Sequence, residues 1–377
     1  MTRILGHKRR TVHAWPGFYR PTNTNPEHHV PNRPRNVSHV PSPLKHRVLI
    51  VGVGSIGERH LRCFRATGRA DVLLCEINPE RRHMVAKRYA VADAYPDLDA
   101  ASREQIDAAI IATPAPAHIP IARRLVDTGA HIMIEKPLST SLHGIEAFRE
   151  AVKKHGVVAA VAYVWRAHPL VTAMKHAIDE GRFGNPLQLC IVTGQHLPAY
   201  RPAYRDIYYA HREQGGGAIQ DALTHMLNLG EWLVGPIERL VADAAHLRLP
   251  GVTVEDTAHL LARHGEVLGC YALNQHQAPN ETTITLCCER GTCRALTHEN
   301  KWQWMTEPAG TWHEQSIDPV ERDMPFLRQA NAFLDAVEGK RPPPCTLDEG
   351  VQTLRVNLAA LQSAFDDDKF VRIEDVR

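Results

Sequence analysis

From position 47 the chain keeps two rhythms in turn. Arg47-Val48-Leu49-Ile50-Val51 is a short, β-branched run with a continuous apolar stretch, the pattern of a strand buried on both faces of a parallel sheet. A glycine-rich turn follows, then a helical stretch to about Thr67. The alternation repeats. Val72–Glu76 reads as a strand and the residues after Pro79 as a helix; a strand begins at Asp107, with a helix from about Ile119 to Thr128 closed by Gly129. His131–Glu135 and Val157–Val164 are again strand-like, with one more helix between them. Strands alternating with helices of this length predict a doubly wound parallel sheet.

The rhythm changes near residue 168. One helix carries Leu170, Met174 and Ile178 on a single face and ends at Gly181. Strand-like segments then recur at 187–194, 237–247, 254–262, 267–275 and 281–288, and two late helices are expected near 325–339 and 347–366. The pattern predicts an α/β chain with a second, α+β domain built on a mostly antiparallel sheet. The expected division is a doubly wound domain over 46–168 and an α+β domain over 169–377.

Composition adds limits. At 377 residues, 44% hydrophobic and 23% charged, the chain suits two globular domains. No run reaches the roughly 18 apolar residues of a membrane span. The first 45 residues hold eight Lys/Arg, one Glu, seven prolines and five histidines, leaving 36 basic against 41 acidic residues in the rest. Such a segment buries too little apolar surface to offset its ordering entropy, so it reads as a disordered extension. A nucleic-acid arm or a transit peptide are the other readings of it. The eight cysteines form no CxxC pair, and an alternating TTITLCC strand turns Cys287 and Cys288 to opposite faces, so no metal site is expected. A reducing, cytoplasmic compartment is the default.

The candidate chemistry begins at Gly52-Val53-Gly54-Ser55-Ile56-Gly57, which directly follows a buried-type strand and opens a helix. There Gly52 permits the tight turn, Gly54 admits the pyrophosphate, Gly57 allows helix–strand packing, and the helix N-terminus attracts phosphate. Glu76 ends the second strand, where a carboxylate binds the adenine ribose hydroxyls and repels a 2′-phosphate. NAD is therefore the expected cofactor, with NADP kept open by Arg81 and Arg82. A second run, Glu135-Lys136-Pro137-Leu138, lies at a strand's C-terminal end, the ligand-binding edge of open α/β sheets. The third, Gly215-Gly216-Gly217 to Asp221 and His225, sets the last two one helical turn apart and gives room for a substrate or another backbone.

These runs, with ATPAPAH at 112–118, YVWR at 163–166 and CTLDEG at 345–350, resemble the glucose–fructose oxidoreductase/inositol dehydrogenase (Gfo/Idh/MocA) family over residues 46–377. The resemblance implies a Rossmann domain and an NAD(P)-dependent oxidoreductase acting on a secondary alcohol or ketone of a sugar, cyclitol or sugar nucleotide. It implies that Lys136, Asp221 and His225 converge over the nicotinamide: His225 exchanges the proton, Lys136 polarises the oxygen and Asp221 orients it. Thr113, Pro114, His118 and Glu135 would line the cofactor cleft, with Arg166 beside the nicotinamide. Within His196–Tyr209, Tyr204 and Arg205 stand as substrate-contacting candidates. The family pattern H-E-x-D is here His225-Met226-Leu227-Asn228, a departure that keeps a non-catalytic NAD-binding sensor in view; an NAD-dependent glycoside hydrolase on the same fold is a further alternative. The expected partners are a small sugar-like molecule and a second copy of the chain, in a homodimer or homotetramer, with no nucleic acid and no membrane.

Overall fold

A computed structural model describes residues 45–367 and 369–376; the basic extension lies outside them. Six parallel strands, β1 (His46–Val51), β2 (Ala70–Cys75), β3 (Ala94–Tyr95), β4 (Ala108–Ile111), β5 (His131–Ile134) and β6 (Ala159–Val161), form one sheet. Its order is β3-β2-β1-β4-β5-β6, the doubly wound arrangement expected from the alternation. Val48 to Ile50 and Ala108 to Ile111 are fully buried because helices cover both faces. The strand order reverses between β1 and β4, so Gly52 and Thr113, just beyond their ends, flank the crevice where such sheets bind ligands.

The second sheet has nine strands: β7 (Pro186–His196), β8 (Arg239–Ala245), β9 (Thr257–His264), β10 (Val267–Asn274), β11 (His276–Cys288), β12 (Gly291–Leu296), β13 (Lys301–Met305), β14 (His313–Ser316) and β15 (Val371–Arg372). Their order is β14-β13-β12-β11-β7-β10-β9-β8-β15. All pairs are antiparallel except β7 with β10. The central strands alternate, with Leu189, Ile191, Leu260, Tyr271, Ile284 and Leu286 turned toward the helices Thr224–Val234 and Leu347–Gln362. On the other face Val192, Leu261 and Leu268 stay 46–56% exposed.

Packing does not respect a boundary at residue 168. The helix Met324–Val337 places Ala330, Phe333 and Leu334 in the same core as Ile50, Leu61 and Phe64. Cys345, Leu347, Val351 and Leu354 likewise complete the core around β5 and β6. Residues 324–354 thus return to the first lobe and finish it, which corrects the simple split into 46–168 and 169–377. Among the described residues no helix is long and apolar enough to cross a membrane, and no cluster of three or more His, Cys, Asp or Glu could hold a metal.

Candidate active site

The glycine turn is built as its sequence demands. Gly52 has φ +82°, and a Cβ there would lie 2.9 Å from the Ala112 carbonyl oxygen. A Cβ on Gly57 would lie 1.8 Å from the Gly52 oxygen, so only hydrogen fits where helix Ser55–Ala66 meets the loop. A Cβ on Gly54, by contrast, would meet nothing within 4 Å. The same helix starts at Gly54 without a side-chain cap, leaving its first N–H groups to point out past Ser55 and Ile56. An open approach and free helix N–H groups together make a cradle for a pyrophosphate.

Glu76 lies beside this cradle, 6% exposed. Its Oε2 accepts from Val53 N at 3.0 Å and its Oε1 from Asn78 N at 2.9 Å. Arg81 stands 3.7 Å from Oε2, while Arg82 donates to the Glu76 carbonyl at 2.7 Å. Across the crevice, the Thr113 hydroxyl is buried without a hydrogen-bond partner among the described residues, and Pro114 is exposed on the rim. His118 is buried with its ring nitrogens 2.8 Å from the Thr113 oxygen and 3.0 Å from the Pro137 oxygen, and burial lowers its pKa. It braces the two loops rather than facing the crevice. These residues fit a dinucleotide: an open phosphate cradle after β1, a carboxylate on its β2 side and an unpartnered hydroxyl on its β4 side.

Glu135 and Lys136 continue from β5. Glu135 is buried; its Oε1 lies 2.6 Å from His60 Nε2, and its Oε2 accepts from Lys136 N at 3.1 Å. Lys136 precedes a cis peptide bond to Pro137. Its Nζ donates to the Asp221 carbonyl oxygen at 2.6 Å and to Asp221 Oδ1 at 3.0 Å. Asp221 Oδ1 also accepts from Tyr208 OH at 2.6 Å, and Oδ2 from Arg201 Nη1 at 3.0 Å. Burial alone would raise the Asp221 carboxyl, but Lys136, Arg201 and Tyr208 together hold it well below the usual carboxylate range. Burial also opposes the Lys136 ammonium, yet Asp221, with Tyr208 and Glu135, outweighs it and Lys136 sits above its ordinary value. Lys136 is thus a fixed cation.

His225 behaves in the opposite way. Burial and the nearby Lys136 hold its pKa well below 6.5, so the ring is neutral at pH 7. Its Nδ1 is buried without a hydrogen-bond partner among the described residues, and the ring stands edge-on to Tyr163. Lys136, Asp221 and His225 all line one cavity of about 160 Å³. Trp165, Gln195, Arg201, Met226, Gln275 and Asn280 are among its other walls.

Several expected positions lie elsewhere. Arg166 does not reach this cavity: Nε donates to Asn228 Oδ1 at 2.8 Å and Nη1 to Glu349 Oε1 at 2.5 Å, a buried tie between the lobes. Its neighbour Trp165 faces the cavity instead. Tyr204 is 1% exposed and donates to the Pro250 oxygen at 2.6 Å, and Arg205 Nε donates to that oxygen at 2.9 Å. Both brace the 246–256 loop and neither lines the cavity; from this segment Arg201 lines it, and Tyr208 reaches Asp221. Short helical turns at 197–214 reverse direction repeatedly, and no periodicity indicates which side chains turn inward. The triple glycine admits protein, not substrate: a Cβ on Gly216 would lie 2.3 Å from the Tyr209 oxygen, and one on Gly217 2.4 Å from Glu255 Oε1. Of the two departures after His225, Met226 lines the cavity, whereas Asn228 is the buried partner of Arg166.

A parallel sheet with this phosphate cradle, joined to a lysine–aspartate–histidine cavity, defines a dinucleotide-dependent oxidoreductase. The family model "Oxidoreductase family, NAD-binding Rossmann fold" matches residues 46–163, and that of the GFO/IDH/MocA C-terminal domain matches 171–294. The chain belongs to the Gfo/Idh/MocA family. It is 26% identical to UDP-N-acetylglucosamine 3-dehydrogenase of Acidithiobacillus ferrooxidans over 328 residues, 84% of this chain and 95% of that one. Among solved structures it is similar to the WlbA dehydrogenase of Bordetella pertussis in complex with NADH and UDP-GlcNAcA, with TM-score 0.71, 26% identity, and coverage of 87% of this chain and 98% of that one. A levoglucosan dehydrogenase in complex with NADH and levoglucosan gives TM-score 0.80 at 21% identity, covering 87% and 99%, a likeness of fold.

Proposed function

We propose that this chain transfers hydride between NAD and a secondary alcohol or ketone of a sugar, cyclitol or sugar nucleotide. The observation that carries this reading is the meeting of fixed Lys136, buried Asp221 and neutral, unpartnered His225 in one cavity. NAD supplies the hydride acceptor when bound in the crevice. His225, neutral, takes the hydroxyl proton during oxidation and returns it during reduction. Lys136 donates its remaining N–H to the reacting oxygen and stabilises charge that develops there. Asp221 keeps Lys136 charged and fixes its direction. Thr113 and Gly54 bind the cofactor along its length, and Glu76 favours NAD over NADP by charge.

The relatives named above support a sugar-like substrate, and the polar walls Gln195, Gln275 and Asn280 suit its hydroxyls. A homodimer or homotetramer closing over Val192, Leu261 and Leu268 accounts for apolar side chains left about half-exposed. The eight cysteines, all free, suit a reducing, cytoplasmic setting. The test is the near-ultraviolet absorbance of NADH while purified protein and NAD meet a panel of polyols, aldoses, uronates and sugar nucleotides. Stoichiometric NADH formation with one of them is the expected result. Bond cleavage without net NADH would assign a hydrolase, and NAD binding without turnover on any member would assign a sensor.

A further inference from the structure

The charges around the cavity do not balance. Among the side chains that line it, Lys136 and Arg201 are cationic, Asp221 is the single carboxylate and His225 is neutral. The remaining walls are uncharged: Trp165, Met226, Gln195, Gln275, Asn280 and two threonines, with two smaller residues and Leu273. Glu281 follows Asn280 in sequence, but strand alternation turns it away and it is exposed. One positive charge is therefore left over on the walls of this cavity.

The surplus belongs to Arg201. Lys136 is directed at Asp221 through two of its three N–H groups, whereas Arg201 reaches Asp221 through one nitrogen, Nη1. Its side chain is 42% exposed while lining the cavity, and among the described residues Asp221 is the only carboxylate in ion-pair contact with it. A half-buried guanidinium with N–H groups to offer matches a carboxylate, which its planar fork can bind through two parallel hydrogen bonds. The surplus of one charge fits a monoanion better than a phosphate, which carries close to two.

We infer that the substrate is a sugar acid whose carboxylate docks on Arg201, opposite the hydroxyl that Lys136 and His225 address. This rests on the oxidoreductase reading given above and narrows its substrate class. In the ternary complex the carboxylate neutralises Arg201, and the reacting carbon is held at a fixed distance from that anchor. Gln195, Gln275 and Asn280 then read the hydroxyls between the two ends.

The test uses the full chain loaded with NADH and matched pairs that differ only in a carboxylate: D-glucuronate against D-glucose, and D-galacturonate against D-galactose. Binding is read from NADH fluorescence and from the shift in melting temperature. The acid of at least one pair is expected to bind about ten- to a hundredfold more tightly than its neutral partner, the range of hydrogen bonds to a charged group. Arg201→Gln should erase that preference, acting on the acid and sparing the neutral sugar, while Arg201→Lys should keep part of it. NADH affinity in both variants reports that they fold. Equal binding of acid and neutral sugar by the wild type would overturn the proposal. So would equal weakening of both in Arg201→Gln, which would leave Arg201 as the partner of Asp221 alone, or failure of every acid to bind a protein that binds NADH. Failure to bind NADH at all would overturn the underlying reading as well.

Discussion

Replacing Asp221→Asn removes one charge and leaves the shape of the side chain intact. Asp221 is 3% exposed and receives Lys136, Tyr208 and Arg201. A carboxamide offers one acceptor oxygen, so in either orientation its NH₂ group confronts a donor. Two unit charges 3.0 Å apart, the separation of Lys136 and Asp221, attract by about 5.5 kcal/mol at an effective dielectric near 20. With that attraction gone, burial is opposed only by Tyr208 and Glu135, and the Lys136 ammonium becomes easier to deprotonate. In the wild type Lys136 stays charged up to and beyond its ordinary range, so oxidation should remain flat on the alkaline side. In the variant the alkaline limb should retreat toward neutrality by more than about one pH unit, since each unit corresponds to about 1.4 kcal/mol. Stability should fall by about 3–5 kcal/mol, the cost of stranding a buried charge. The assay is turnover against pH at saturating NAD, with urea unfolding in parallel. A variant with an unchanged alkaline limb and stability would refute the assignment of Asp221 as the group that holds Lys136 charged.

The glycine turn separates folding from cofactor binding. Gly54→Ala meets open space and should melt like the wild type while losing NAD affinity, whereas Gly57→Ala, aimed at the Gly52 oxygen 1.8 Å away, should fail in both, as calorimetry with and without NAD would show. Glu76→Ala should weaken NAD by about 1.5–3 kcal/mol and narrow its advantage over NADP; wild-type protein that binds NADP more tightly would contradict that role. Acid should destabilise the fold before the carboxylates titrate. Burial, with Arg328 nearby, lowers His168 from 6.5 to about 4, so between those values the unfolded chain binds a proton that the folded chain refuses, and stability falls as pH drops. The loss from this residue is about 2 kcal/mol at pH 5, and His168→Phe should remove it from the difference in urea midpoints between pH 7 and pH 5.

Legibility followed the range over which each signal acts. The parallel sheet and the 52–57 turn were readable because buried strands, glycines and helix starts are local patterns. Lys136 was readable as a strand-end residue, and Asp221 and His225 as neighbours on one helix. Their geometry differs in detail, since Asp221 lies in a π-helical segment, Ile219–Leu223, and His225 in the α-helix after it. Burial by itself would lower the Lys136 ammonium; the three-dimensional partner Asp221 reverses that direction. Strands β12, β13 and β14 escaped notice because they are short, with Arg294, Lys301 and Gln303 breaking the apolar pattern of the first two and no apolar residue in the third. Arg201 and Tyr208 escaped because irregular turns carry no period. The return of residues 324–354 to the first lobe is a long-range packing fact that no local window contains.

The most direct measurement compares turnover and NAD affinity in His225→Ala and Lys136→Ala with the wild type, on whichever substrate yields NADH. Each variant should lose about 10²–10⁴-fold in turnover, the usual worth of a placed proton-transfer group, and the double variant should lose far less than the product of the two. NAD affinity should stay close to that of the wild type in all three. Turnover near the wild-type rate in either single variant, or a loss explained by weaker NAD binding, would contradict the claim that Lys136 and His225 act on the substrate oxygen.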